Sequence, residues 1–172
     1  MNFETLNILE GIDLHYSIQK CASISDVLIV SFPGGGGKIW DEVGYVFTLK
    51  KYDCNALFIK ADNVVLKSLF CFFNKTTVIE ERIFSLISDT MKLFNSSRVI
   101  VVGSSLGGYT ALYYGIKYNW DIVSGSPMTL ISDNKYVKFS TGGVDDSDKS
   151  WLNQRLYAEI EKHACQYDKK LF

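Results

Sequence analysis

Arg98-Val99-Ile100-Val101-Val102-Gly103-Ser104-Ser105-Leu106-Gly107-Gly108-Tyr109-Thr110-Ala111-Leu112 is the stretch on which the reading of this chain turns. Val99 to Val102 form a short β-branched run, the mark of a buried strand. Tyr109 to Tyr118 reads as an aromatic-rich helix, with its first turn starting at Leu106. Between strand and helix lies Gly103-x-Ser105-x-Gly107. A nucleophilic serine has to stand clear of the sheet, so its backbone occupies a tight, strained turn, and neighbours without side chains relieve the crowding. A helix starting at Leu106 aims backbone N–H groups and a positive dipole end at an attacked carbonyl. Ser105 is therefore the candidate nucleophile and the Leu106 N–H a candidate oxyanion donor. The five-residue pattern is common by itself; the strand–turn–helix context gives it meaning.

Working outward, Val27 to Phe32 is a continuous apolar run closed by Pro33 and Gly34 to Gly37. Such a run reads as a strand buried on both faces, as in a parallel sheet. Asn55 to Ile59 is a second buried run, and Ile122-Val123 a shorter one ending at Gly125-Ser126-Pro127. Ile12 to Ile18 alternates apolar and polar residues and reads as the first strand. Ile79, Ile83, Leu86, Ile87, Met91 and Phe94 recur at spacings of three and four, which places them on one helix face. Trp151 to Tyr167 is a further helical stretch. Strands alternating with helices predict an α/β fold: three layers, a mainly parallel sheet, and helices on both faces. One domain over residues 1–172 is expected.

Composition excludes several classes. The net charge is −1 and no basic stripe is present, so no nucleic-acid partner is expected. No apolar stretch reaches membrane-span length, and the amino-terminal residues carry Glu4 and Glu10 rather than a basic region before an apolar run. A cytoplasmic location is the expectation. Cys21, Cys54, Cys71 and Cys165 are widely spaced, without a C-x-x-C pair, so neither a metal site nor a disulfide framework is expected, and the cysteines read as buried or idle thiols. No cofactor is expected either: the elbow segment lacks the G-x-G-x-x-G and G-K-[ST] spacings of phosphate loops.

Ser105 needs partners. A second oxyanion donor fits the glycine run after Phe32-Pro33, where Gly34 or Gly35 lets the backbone approach a substrate closely. The histidines are His15 and His163. His15 lies within the first expected strand and reads as structural. His163, on the last helical stretch, is the candidate base, against the alternative of a packing or helix-end residue. Asp133, Asp145, Asp146 and Asp148 are the candidate acids, and none follows a recognisable strand.

The chain resembles the α/β-hydrolase superfamily through residues 27–34, 54–59, 103–115 and 124–127. More narrowly it resembles the hydrolase-like domain of bacterial capsular polysaccharide biosynthesis proteins. The resemblance implies the order nucleophile, acid, histidine, with acid and histidine after two later strands. Ser105 matches the nucleophile, and Leu106 with Gly34 or Gly35 the oxyanion hole, while nothing matches the acid and histidine. The domain is therefore expected to be C-terminally incomplete, lacking the last strands, with an open sheet edge available for self-association or a partner protein.

Three readings stay open. One is a serine esterase or O-acyltransferase, acting through an acyl-enzyme on an acylated small molecule or carbohydrate in capsule or cell-surface polysaccharide assembly. Another is a non-catalytic hydrolase-fold scaffold, or an inactive fragment. The third is a phosphate or nucleotide binder using Gly34 to Gly37.

Overall fold

The computed structural model describes residues 2–9, 12–34, 44–60, 70–71, 76–129 and 146–167. Six strands make one sheet: β1 (Glu4–Leu9), β2 (Ile12–Gln19), β3 (Val27–Ser31), β4 (Asn55–Lys60), β5 (Arg98–Ser104) and β6 (Asp121–Gly125). Among the described residues the helices are α1 (Val46–Leu49), α2 (Val78–Phe94), α3 (Leu106–Tyr118) and α4 (Asp146–Tyr167). Strand order is β1-β2-β4-β3-β5-β6. The strands β4, β3, β5 and β6 run parallel, and β1 and β2 extend the β4 side antiparallel. The fold is thus α/β with a mostly parallel sheet, as the alternation of elements predicts.

One strand was not legible. β1 precedes the Ile12–Ile18 segment, so the expected first strand is in fact the second. Glu4, Thr5 and Asn7 of β1 are exposed and Ile8 is buried, and the alternation breaks at Ile8-Leu9. Its place comes from pairing with β2, reinforced by the Tyr16 hydroxyl donating to Glu4 at 2.7 Å. The last helix also begins earlier than its apolar pattern suggested, at Asp146 rather than Trp151.

Among the described residues the two faces of the sheet are covered unequally. Leu28, Val30, Phe32, Leu57, Val99 and Val101 pack with the apolar faces of α2 and α3 in one large buried cluster. Leu152 and Leu156 of α4 join it. On the other face Val46 of α1 covers Ala56 and Phe58. This division follows the chain path. The step from β3 to β4 runs one way along the sheet and those from β4 to β5 and β5 to β6 the other way. Right-handed crossovers must then lie on opposite faces. The direction reverses between β3 and β5, and in open α/β sheets the carboxyl ends at such a switch point are where ligands bind.

A polar cluster locks the helical layer. Glu80 of α2 is buried and accepts from Tyr113 (2.9 Å) and Tyr118 (2.7 Å) of α3 and from Arg155 of α4 (3.1 Å), and it pairs with Lys117. Tyr109 donates to the Leu152 carbonyl at 2.8 Å, and Tyr114 to that of Phe70 at 2.7 Å. Burial pushes the acidities of Tyr109, Tyr113 and Tyr114 further from neutrality, so these hydroxyls stay protonated as donors. Cys21 and Cys71 are buried thiols and Cys54 is half-buried. No helix among the described residues is long and apolar enough to cross a membrane.

Candidate active site

Ser105 sits on the residue joining β5 to α3, at φ 54° and ψ −118°. A side chain rarely adopts this backbone conformation, and holding it costs about 1–3 kcal/mol. The surroundings enforce it. The Ser105 N–H donates to the Gly125 carbonyl at 3.0 Å. The Ser105 carbonyl accepts from Tyr109 N–H and Met128 N–H, both at 3.1 Å. Backbone from β6, from the segment after it and from α3 therefore grips the turn on both sides of the serine.

The glycines of the motif follow from contact distances. A β-carbon on Gly103 would lie 2.0 Å from the Gly107 carbonyl oxygen, so the first turn of α3 rests directly on the end of β5. A β-carbon on Gly107 would lie 2.6 Å from the carbonyl oxygens of Phe32 and Pro33. The exit of β3 thus presses against the first turn of α3, on the side where Leu106 begins the helix. One residue on, a β-carbon at Gly34 would lie 3.1 Å from the Ser104 carbonyl oxygen. Phe32 N–H extends the ladder by donating to the Val102 carbonyl at 2.9 Å.

Ser105, Leu106 and Gly34 are therefore brought together at the switch point. The N–H groups in the first turn of an α-helix have no intrahelical acceptor. At Leu106 and its neighbours they lie at the Ser105 end of α3. Gly35, Asp133 and Asp145 lie outside the described residues. Asp146 and Asp148 fall in the first turn of α4.

The histidines are placed elsewhere. His15 lies in β2, three strands from β5, which is about 14 Å at ordinary strand spacing. Its Nδ1 is 3.0 Å from the Thr5 hydroxyl. His163 lies on α4, where its Nε2 is 3.5 Å from Glu159 Oε2. The helix contacts give its level along α3. Tyr109 meets Leu152, and Tyr113 meets Arg155 through the Arg155 Nε–H at 3.0 Å, so α3 and α4 run in the same direction. His163 follows Arg155 by two turns, about 12 Å along the axis and away from the Ser105 end. The structure does not bring it to the serine. Among the described residues no group of His, Cys, Asp or Glu could hold a metal ion.

Comparison with known proteins bears on fold alone. No family model matches the chain, and no curated protein does. Solved structures do match. The capsule O-acetyltransferase of Neisseria meningitidis serogroup A shares 18% identity at a TM-score of 0.63, over 91% of this chain and 66% of that one. Staphylococcus aureus fluorophosphonate-binding serine hydrolase F shares 14% identity at 0.58, over 92% and 74%. The chain has the α/β-hydrolase fold. A glycosylation-associated protein complex from Streptococcus agalactiae contributes a third match, 17% identical at 0.61, over 87% of this chain. This hydrolase-fold chain spans 32% of the length of that protein and 66% of that of the capsule enzyme.

Sequence reasoning missed Tyr45. Its hydroxyl would lie 3.4 Å from a β-carbon on Gly125, the residue whose carbonyl holds Ser105. No local pattern marks it, since it reaches the site from the far side of the sheet.

Proposed function

We propose that this chain performs acyl transfer through Ser105, as a serine esterase or O-acyltransferase acting on an acylated carbohydrate in the assembly of capsule or another cell-surface polysaccharide. The supporting observation is the strained backbone of Ser105, held by three hydrogen bonds at the carboxyl end of β5 beside the switch point. Strain of this kind persists only where the surrounding structure over-determines it, and it clusters at active sites.

In the first half-reaction the Ser105 Oγ bonds to the acyl carbon. The bond from that carbon to the alcohol oxygen breaks, and the serine proton ends on the departing alcohol. Water or a second hydroxyl then takes the acyl group and restores Ser105. The Leu106 N–H and the Gly34 or Gly35 backbone would hold the oxyanion, a role in which losing one donor costs about 3–4 kcal/mol. The carbohydrate reading draws on the match to an enzyme named as a capsule O-acetyltransferase.

A second reading is a hydrolase-fold binding module, favoured by the level of His163 along α4. Its partner surface would be the outer edge of β6. Among the described residues β6 pairs only with β5, and Val123 there is 56% exposed. The structural match within a named protein complex is consistent with a partner.

Labelling of the purified chain with a fluorophosphonate separates the two. Acyl transfer requires labelling that disappears in Ser105→Ala. A folded chain that takes no label supports the binding module. His163→Ala in the same experiment reports on the base: retained labelling places the base on another residue.

A further inference from the structure

Tyr45 occupies a place that the acyl-transfer reading leaves unassigned, and the inference drawn from it rests on that reading. Its backbone is fixed at both ends. The N–H donates to the Ser31 hydroxyl at 3.0 Å, and Ser31 is fully buried on β3. The carbonyl accepts from Thr48 N–H at 3.0 Å and Leu49 N–H at 2.9 Å, closing α1. Gly44 before it has φ +37°, and a β-carbon there would meet the Ser31 hydroxyl at 2.4 Å, so this turn has one way to pack. The half-buried phenol then runs across the sheet to the end of β6.

The face it crosses is the one opposite α3. On β6, Ile122 packs on Gly115 and the Ser124 hydroxyl donates to the Gly108 carbonyl at 3.0 Å, so these residues face α3. Gly125, one residue on, faces the other way. It pairs with Ser104, the residue before the nucleophile. A β-carbon on Gly125 would lie 3.4 Å from the Tyr45 hydroxyl and 3.7 Å from Ser104 Cβ. The phenol thus ends beside Ser104, with β5 between it and the exit of β3.

On the acyl-transfer reading, a tetrahedral carbon on Ser105 Oγ would have its oxyanion on the side of the α3 amides and the β3 exit. Its alcohol oxygen is a separate substituent and points away from that side. We propose that the Tyr45 hydroxyl is the hydrogen-bond partner of the ester's alcohol oxygen, and so favours esters of sugar or alkyl hydroxyls. A phenol O–H donates and accepts, so it serves both the departing alcohol and an incoming acceptor hydroxyl. Tyr45 keeps its own proton; the proton leaving Ser105 ends on the alcohol oxygen.

The test compares Tyr45→Phe with wild type on two acetates, after fluorophosphonate labelling of both proteins. Labelling of Tyr45→Phe at the wild-type level shows an intact elbow. Acetate release from methyl 6-O-acetyl-glucopyranoside should fall about tenfold, the worth of one hydrogen bond to the reacting oxygen. Release from 4-nitrophenyl acetate should stay within about twofold, because nitrophenolate departs without help. Equal loss on both esters, no loss on the sugar ester, or no turnover of it by wild type overturns the role of Tyr45. Absence of labelling in wild type overturns acyl transfer at Ser105, and the Tyr45 contact with it.

Discussion

Replacing Ser105 by glycine should make the protein more stable while abolishing its labelling. At φ 54° and ψ −118° the serine backbone carries strain that glycine does not feel, because a glycine has no β-carbon to clash with the carbonyls on either side. The strain is worth about 1–3 kcal/mol. Against it stands the extra freedom a glycine has in the unfolded chain, about 0.4–1 kcal/mol. The net gain is then about 1 kcal/mol, which for a chain of this length raises Tm by about 2–4 °C. Ser105→Ala is the control, since it loses the same hydroxyl and keeps the strain. Urea unfolding and thermal melts of wild type, Ser105→Ala and Ser105→Gly measure the difference. The alanine variant should stay within about 0.5 kcal/mol of wild type. A glycine variant no more stable than the alanine variant would refute the view that the elbow stores strain.

Two further outcomes follow from the same packing. Glu80→Ala leaves Lys117 and Arg155 without their common carboxylate and the Tyr113 and Tyr118 hydroxyls without an acceptor. Urea unfolding should show a loss of about 3 kcal/mol, at the lower end for a broken buried pair because both cations reach solvent; a loss under about 1 kcal/mol would show that the cluster relaxes freely. Asp53 accepts from the Ser23 hydroxyl at 2.5 Å and from the Ala22 and Ser23 N–H groups at 2.7 and 3.0 Å, and these bonds hold its carboxyl below the ordinary 3.8. Its folded pKa is depressed, so its contribution to stability is present above pH 3.8 and is lost as pH falls through the folded value. Thermal melts of wild type and Asp53→Asn should therefore differ at pH 6 and converge in strong acid, and a gap unchanged at about pH 2 argues against the turn.

How far the sequence reached depends on the range of the interactions. The elbow was legible because its causes are local. Val99 to Val102, Gly103, Ser105 and Gly107 lie within nine residues, and the same residues fix strand, turn and helix. β1 was not legible, since its short alternation breaks at Ile8-Leu9 and its register is taken from β2. Glu80 left a faint trace, an acidic residue on the apolar face that Ile83 and Ile87 define. Its partners Tyr113, Lys117 and Arg155 lie 33, 37 and 75 residues away, beyond any spacing rule.

His163 shows the same boundary from the other side. Chain order made it a reasonable candidate base, because it follows the nucleophile on a helical stretch. The direction of α4 against α3 decides its level instead, and two hydrogen bonds between the helices set that direction.

By itself the sequence determined the α/β class, the strands of the parallel part, and Ser105 as the residue raised between strand and helix. Short-range sterics and hydrophobic periodicity act on neighbours along the chain, so they can be read without coordinates. The tertiary structure decided the strand order, the switch point that sets Gly34 beside Ser104, the clamp at Glu80 and the reach of Tyr45 to Gly125. Each of these depends on which distant segments pack together, and that is settled by the closure of the whole sheet and its helices.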